Sequence, residues 1–315
     1  MPKNFVLEER IERYADAIEP APAAWRGRWA RACAPAGGEP FRAVKLDLGC
    51  GKGSFLLEMA HREPDVLWLG VDAEPVCVVY AAEAVMRTGA RNVLVIPARA
   101  DQLKDIFAAG ELDAVTINFP TPFPRKKQAG GRVTTIDRLL EYRPLLASGA
   151  RITLRTDSQP FLDYTRGQLV GAGDRLLWES VDVRAEHPDL PATEYETRLG
   201  EEGARALGIC AMVGPEPAPE QIGQARRAPV SLFEYLPHDL YEGRYIPHGM
   251  DYAVTVYRNR RATEARRREA RTYHDPSTHN PRRPIPKNRM GRRGDQSTCR
   301  DAREAPYSCS ANSGW

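Results

Sequence analysis

Leu46-Asp47-Leu48-Gly49-Cys50-Gly51-Lys52-Gly53 closes an apolar run with an acidic residue and three alternating glycines. Nineteen positions after Gly53, a second apolar run from Val66 to Val71 ends on Asp72. Together they read as the first two strands of a nucleotide-binding α/β unit. Glycines let the backbone turn tightly and approach a ligand, and an acidic residue closing the second strand is placed to take two ribose hydroxyls.

Spacing discriminates between ligands. A dinucleotide fingerprint wants glycine at the position of Ser54, so that the helix packs closely beneath a pyrophosphate. The pattern here is D-x-G-x-G-x-G, the form that goes with S-adenosyl-L-methionine, which has no pyrophosphate. On this reading Asp47 accepts a hydrogen bond from the methionine ammonium, and Gly49, Gly51 and Gly53 form the loop around it. A dinucleotide and a purely structural glycine turn are the competing readings.

From Val44 to Val213, expected strands (44–48, 66–71, 92–96, 113–118, 150–155, 176–183, 206–213) alternate with expected helices (53–62, 76–88, 101–109, 134–147, 159–171). This alternation is the pattern of a doubly wound α/β sheet with helices on both faces. Seven strands, the last antiparallel, match the Rossmann-like sheet of methyltransferases that use S-adenosylmethionine. Residues 1–40 read as a partly helical N-terminal extension and 41–214 as the methyltransferase domain. Residues 215–257 read as an appendage packed on the core, in which Asp251-Tyr-Ala-Val-Thr-Val-Tyr alternates like an edge strand. The Arg/Pro/Asn/Ser-rich stretch 258–315 reads as a basic disordered tail.

The net charge of +3 conceals an asymmetry. From Arg258 onward 15 Lys+Arg face 6 Asp+Glu, whereas the first 257 residues carry 30 against 36. The tail either lends salt-sensitive attraction to phosphates or is merely solvated. The cysteines at 33, 50, 77, 210, 299 and 309 lack metal-ligand spacing and read as free thiols in a reducing cytoplasm. The six histidines form no ligand spacing either, so no metal is expected. No apolar run is long enough to span a bilayer, and the charged start from Lys3 to Glu12 argues against a signal peptide.

The fourth expected strand ends in Ile117-Asn118-Phe119-Pro120-Thr121-Pro122-Phe123-Pro124-Arg125-Lys126-Lys127. In an open α/β sheet this loop lies where ligands bind, beside the transferred group. Prolines stiffen it, Phe123 offers a stacking surface, and three cations follow; an ordinary basic turn is the plain alternative. Thr156-Asp157 follows the fifth strand, and Thr193-Glu194-Tyr195-Glu196 lies before the last.

In the order and spacing of these four motifs, over roughly residues 44 to 213, the chain resembles the bacterial tRNA (guanine-46-N7)-methyltransferases. Their pattern is the glycine loop, a strand-four motif close to F-x-D-P-W-x-K, a T-D after strand five, and T-x-Y-E or T-x-F-E near the end. The resemblance implies methyl transfer from S-adenosylmethionine to N7 of a guanine in tRNA. It implies donor contacts from Asp47, Gly49, Gly51, Gly53, Asp72, Arg99, Asn118 and Thr121, with Thr121 at the catalytic position. Arg125, Asp157, Thr193, Glu194, Tyr195 and Glu196 would then face the target guanine or its nucleotide. Asp157 also suits a helix N-cap, and Thr193 and Glu196 a solvated loop.

The departures lie at the chemistry. Thr121 stands where the family has aspartate, Phe123 where it has tryptophan, and Arg99 where an acidic residue follows strand three, with Asp101 two residues on. The basic stretch is thinned to Gln128-Ala-Gly-Gly-Arg132. A slow enzyme is expected before an inactive one. A methyltransferase acting on another substrate, or a non-catalytic S-adenosylmethionine- or RNA-binding protein on the same fold, are the alternatives.

Overall fold

The computed structural model describes residues 5–236, 246 and 250–273. The chain forms two compact units, Met1–Arg266 and Arg267–Trp315, the second described only over residues 267–273. In the first unit, seven strands make one sheet: β1 (Ala43–Leu48), β2 (Val66–Asp72), β3 (Val93–Pro97), β4 (Leu112–Asn118), β5 (Leu146–Thr156), β6 (Arg175–Ser180) and β7 (Leu207–Met212). Their order is β3-β2-β1-β4-β5-β7-β6, parallel except for β7, which runs antiparallel to both neighbours. The strand order therefore reverses direction from β1–β2 to β1–β4, and the crevice above that switch point is the ligand site of open α/β sheets.

Among the described residues ten α-helices connect or flank the strands: α1 (Leu7–Arg13), α2 (Ser54–Arg62), α3 (Pro75–Thr88), α4 (Leu103–Ile106), α5 (Ile136–Tyr142), α6 (Gln159–Gly171), α7 (Val183–Glu186), α8 (Glu194–Glu201), α9 (Pro219–Arg227) and α10 (Asp251–Tyr273). Leu46, Leu67, Leu69, Val71 and Ile117 are buried on β1, β2 and β4, inside the sheet. Such continuous apolar strands are what a sheet covered on both faces requires.

Expected boundaries move where local chemistry overrides pattern. The expected helix 134–147 ends at Tyr142, because Pro144 draws Arg143–Leu145 into a 3-10 turn and β5 starts at Leu146. The expected helix 101–109 contracts to a 3-10 turn and the single-turn α4, since Phe107 is extended and buried against Trp29. The expected strand 176–183 stops at Ser180: Asp182 accepts the Ala185 N–H and caps α7.

The largest correction concerns Asp251–Tyr257, expected as an edge strand and found as the start of α10. Met250, Val254 and Tyr257 recur at helical spacing and pack on the main core, and the Arg/Ala/Glu-rich residues that follow are strong helix formers. Residues 258–273, expected as disordered tail, are therefore helical. The remainder of that expectation, residues 274–315, lies outside the described residues.

The N-terminal segment closes one sheet edge. Ile18 bridges to Val95, and the Glu19 N–H donates to the Val95 carbonyl at 2.9 Å, so β3 presents fewer unpaired groups there. At the other end, α9 packs on α6 and places Ala225 where a Cβ on Gly171 would lie 2.3 Å away. Among the described residues no helix is long and apolar enough to cross a membrane, and no cluster of His, Cys, Asp and Glu could hold a metal. Cys33, Cys50, Cys77 and Cys210 are free thiols; Cys299 and Cys309 lie outside the described residues.

Candidate active site

The glycine motif shapes the end of β1 into a loop that lines a cavity. Gly49, Gly51 and Gly53 have φ of +80°, +55° and +81°. Gly53 caps α2, and a Cβ there would lie 3.1 Å from Ala81 Cβ, so the third glycine also sets how closely α2 approaches α3. Asp72 holds the loop: one carboxylate oxygen accepts the Gly51 N–H at 2.8 Å and the other the Glu74 N–H at 2.9 Å.

Asp47 is only 1% exposed. Its Oδ1 accepts from Asn118 Nδ2 at 3.0 Å, and Asn118 Oδ1 accepts from Arg155 Nε at 2.7 Å. Burial pushes the Asp47 carboxyl from 3.8 up to about 7, against the opposing pull of Arg155 and the Asn118 hydrogen bond. A cation placed against Asp47 would favour its carboxylate form and lower that value again.

Two adjoining cavities open above the sheet. The smaller, about 250 Å³, is lined by Asp47, Gly51, Lys52, Thr193, Glu194 and Tyr195, among others. The larger, about 620 Å³, is lined by Asp72, Arg99, Asp101, Thr121, Phe123 and Arg132, among others. Gly49, Asn118 and Phe119 line both, so the cavities form one cleft across the switch point. Arg99 ion-pairs with Asp101, which holds the Asp101 carboxyl below its ordinary value.

The loop after β4 is strained and clamped. Phe119 and Phe123 have φ of +48° and +44°, a region that non-glycine residues seldom occupy and that clusters at functional sites. Arg132 is fully buried and donates through Nε to the Pro122 carbonyl at 2.9 Å and through Nη2 to the Phe123 carbonyl at 2.7 Å. Its guanidinium also lies 4.4 Å from the Tyr164 ring centroid. The Leu232 N–H donates to the Pro124 carbonyl at 3.0 Å. Thr121 is thereby presented, exposed, to the larger cavity.

The last motif forms the far wall. Thr193 caps α8 in a capping box: Glu196 N–H donates to Thr193 Oγ1 at 2.9 Å, and Thr193 N–H to Glu196 Oε2 at 3.4 Å. Glu196 lines neither cavity. Its carboxylate is buried between Arg155 Nη1 at 2.9 Å and Arg184 Nε at 2.5 Å. Glu194 and Tyr195 reach the smaller cavity, and the Tyr195 ring lies 5.1 Å from that of Phe119.

The structure thus brings ten of the fourteen expected residues or their backbone together: Asp47, Gly49, Gly51, Asp72, Arg99, Asn118, Thr121, Thr193, Glu194 and Tyr195 line the cleft. Gly53 supports it from behind, and Glu196 holds the wall. Arg125 lines neither cavity; its guanidinium stacks 3.6 Å from the Tyr252 ring centroid. Asp157 is half-buried in the turn after β5, outside both cavities, and Ser158 rather than Asp157 is the N-cap of α6. Sequence reasoning missed Arg132 and Arg155. Arg155 carried a signal, since a cation ending an apolar strand beside Thr156-Asp157 parallels Asp47 at the end of β1. Arg132, in a loop of weak pattern, carried none.

A family model described as "Putative methyltransferase" matches residues 42–207. The tRNA (guanine-N(7)-)-methyltransferase of Geobacillus kaustophilus is 32% identical over 212 residues, 66% of this chain and 94% of that protein. The enzyme of the same name from Geobacillus thermodenitrificans is 31% identical over 210 residues, 66% and 95% of the two chains. A crystal structure of the 16S rRNA methyltransferase KamB is 18% identical and covers 56% of this chain and 89% of its own, with a TM-score of 0.45. With the model spanning more than half of the chain and the Geobacillus proteins matched nearly end to end, this chain belongs to the tRNA (guanine-N7)-methyltransferase family as a divergent member.

Proposed function

We propose that the chain transfers a methyl group from S-adenosyl-L-methionine to N7 of a guanine in tRNA. One observation carries the reading: the Asp47–glycine-loop end of β1 and the Asn118–Thr121 end of β4 open onto a single cleft. The donor set suits this ligand. A buried carboxylate at the smaller cavity matches an ammonium, Asp72 and Asp101 at the larger one match ribose hydroxyls and an adenine edge, and no diphosphate needs to be held. When bound, S-adenosylmethionine supplies an electrophilic methyl group on a sulfonium.

The N7 lone pair forms the new N–C bond as the C–S bond breaks, and the positive charge passes to the purine. N7 carries no proton, so no general base is needed, and the protein's work is positioning and electrostatic stabilisation. In this reading the Thr121 hydroxyl lies beside N7, where its oxygen dipole faces the positive charge that forms on the purine. Arg125, Asp157 and the Thr193–Glu196 segment hold the guanine and its nucleotide, with Glu196 acting through the α8 cap and Arg155. A tRNA substrate would place the protein in the cytoplasm.

Incubation with labelled S-adenosylmethionine and unmodified tRNA, followed by nucleoside analysis, tests the reading. Label in 7-methylguanosine supports it; label in another nucleoside, or none while the donor binds, refutes it. Thr121 lacks the charge that would stabilise the purinium, and one such interaction is worth roughly 10²–10³ in rate. Thr121→Asp should therefore raise turnover by up to that factor, and an unchanged rate would remove Thr121 from the reacting atoms.

A further inference from the structure

We propose that the exposed part of α10 between Arg258 and Arg266 is an arm that grips the phosphate backbone of the RNA substrate. The inference rests on the RNA reading above and adds to it a surface beyond residue 207, where the family match ends.

The helix changes character along its length. Met250 and Val254 are buried and Tyr257 packs on the main core, which fixes the first turns to the sheet unit. From Arg258 to Arg266 every residue is exposed. Arg258, Arg260, Arg261 and Arg266 here face one acid, Glu264. A helical stretch that is polar all round gains nothing from a core and suits contact with a polar partner. Guanidinium groups match phosphate oxygens in fork geometry, and at 1.5 Å per residue these four extend over about 12 Å of helix.

Its root lies at the reacting end of the molecule. Tyr252, in the first turn of α10, carries the Arg125 guanidinium on its ring, and Arg125 is four residues from Thr121 on the clamped loop. The arm thus starts beside the cleft in which a flipped or unstacked base would be methylated. Lys126 and Lys127, both exposed, extend the cationic track from the loop.

Charge distribution favours a local device. The first 257 residues carry 30 Lys+Arg against 36 Asp+Glu, so the field of the body as a whole repels a polyanion. Productive capture then depends on cations concentrated where the strand must pass.

The test compares the full chain with its R258Q/R260Q/R261Q/R266Q variant, whose replacements are exposed and helix-compatible. Binding of an unmodified tRNA transcript is followed from 50 to 300 mM salt, alongside S-adenosylmethionine affinity and methyl-transfer kinetics. The slope of log Kd against log salt should fall by roughly 0.7–0.9 for each phosphate that the variant no longer neutralises. The KM for tRNA should rise about tenfold or more, while kcat at saturating tRNA and donor affinity stay unchanged. An unaltered slope and KM in the variant would overturn the arm alone. A wild-type chain that fails to bind tRNA at low salt would overturn the arm and the RNA reading together. Loss of binding only to anionic phosphatidylglycerol vesicles would reassign the surface to membranes and also overturn the proposal.

Discussion

In the function proposed above, Asp47 serves the fold poorly and the methyl donor well. Burial raises its carboxyl from 3.8 to about 7, so the ligand-free fold prefers it protonated. A folded pKa above the unfolded one contributes stability at low pH that is lost as pH climbs from about 4 to about 7. A bound ammonium reverses the preference, because it favours the carboxylate. Affinity for S-adenosylmethionine should therefore climb toward a maximum above pH about 7. It should fall again above roughly 8, where an α-amino group loses its proton. Asp47→Asn should lower the affinity near pH 7.5 and abolish the acid limb. Calorimetric titration between pH 5.5 and 9 decides this, and an affinity in the native chain that is flat below pH 7 would show that Asp47 does not receive the ammonium.

At the scale of elements, the glycine loop separates structural from ligand-facing demands. A Cβ on Gly53, at φ +81°, meets Ala81 across the α2–α3 contact, whereas one on Gly51, at φ +55°, meets no protein atom within 4 Å. Both substitutions carry the left-handed backbone penalty of about 1–2 kcal/mol. Gly53→Ala should exceed it because the helices must also part. Gly51→Ala should lose donor affinity beyond its stability loss, because Gly51 lines the smaller cavity and its added methyl meets no protein atom within 4 Å. Paired urea melts and donor titrations would show this, and equal behaviour of the two variants would refute the division. The strand-and-glycine pattern was legible because tight turns and buried parallel strands restrict residue types severely. The Phe119–Phe123 loop, expected beside the ligand, does line the larger cavity, but its strained shape was not legible, since its geometry depends on Arg132, nine and ten residues away from the carbonyls it holds. The start of α10 was misread because Tyr252, Val254 and Thr255-Val256-Tyr257 fit a period of two and a helical period at once over so short a run. The helix-forming Arg/Ala/Glu run that follows and the core partners of Met250 and Val254 separate the two.

At the scale of the molecule, the N-terminal extension supports β4 at the end opposite the cleft. Trp29 is fully buried in the main core, its Nε1–H donates to the Ile106 carbonyl at 3.0 Å, and its ring lies 5.7 Å from that of Phe107. Glu111, which leads into β4, accepts the N–H groups of Gly27, Trp29 and Ala108 at 2.8–2.9 Å. The extension is thereby tied to the root of the strand whose far end carries Asn118 and Thr121. Trp29→Ala removes the ring and its hydrogen bond from a site that cannot collapse without moving α4, so the loss should be about 3–5 kcal/mol. Trp29→Phe keeps most of the packing but strands the Ile106 carbonyl, for a loss of about 1–3 kcal/mol. Urea unfolding followed by circular dichroism reads both, and saturating S-adenosylmethionine should raise the midpoint of each variant, because binding to the folded form stabilises it by mass action. A Trp29→Ala chain as stable as the native one would mean that the extension only decorates the sheet. A chain destabilised as expected, with its donor response retained, would mean that the extension supports β4 from its base while the cleft at the other end keeps its own geometry.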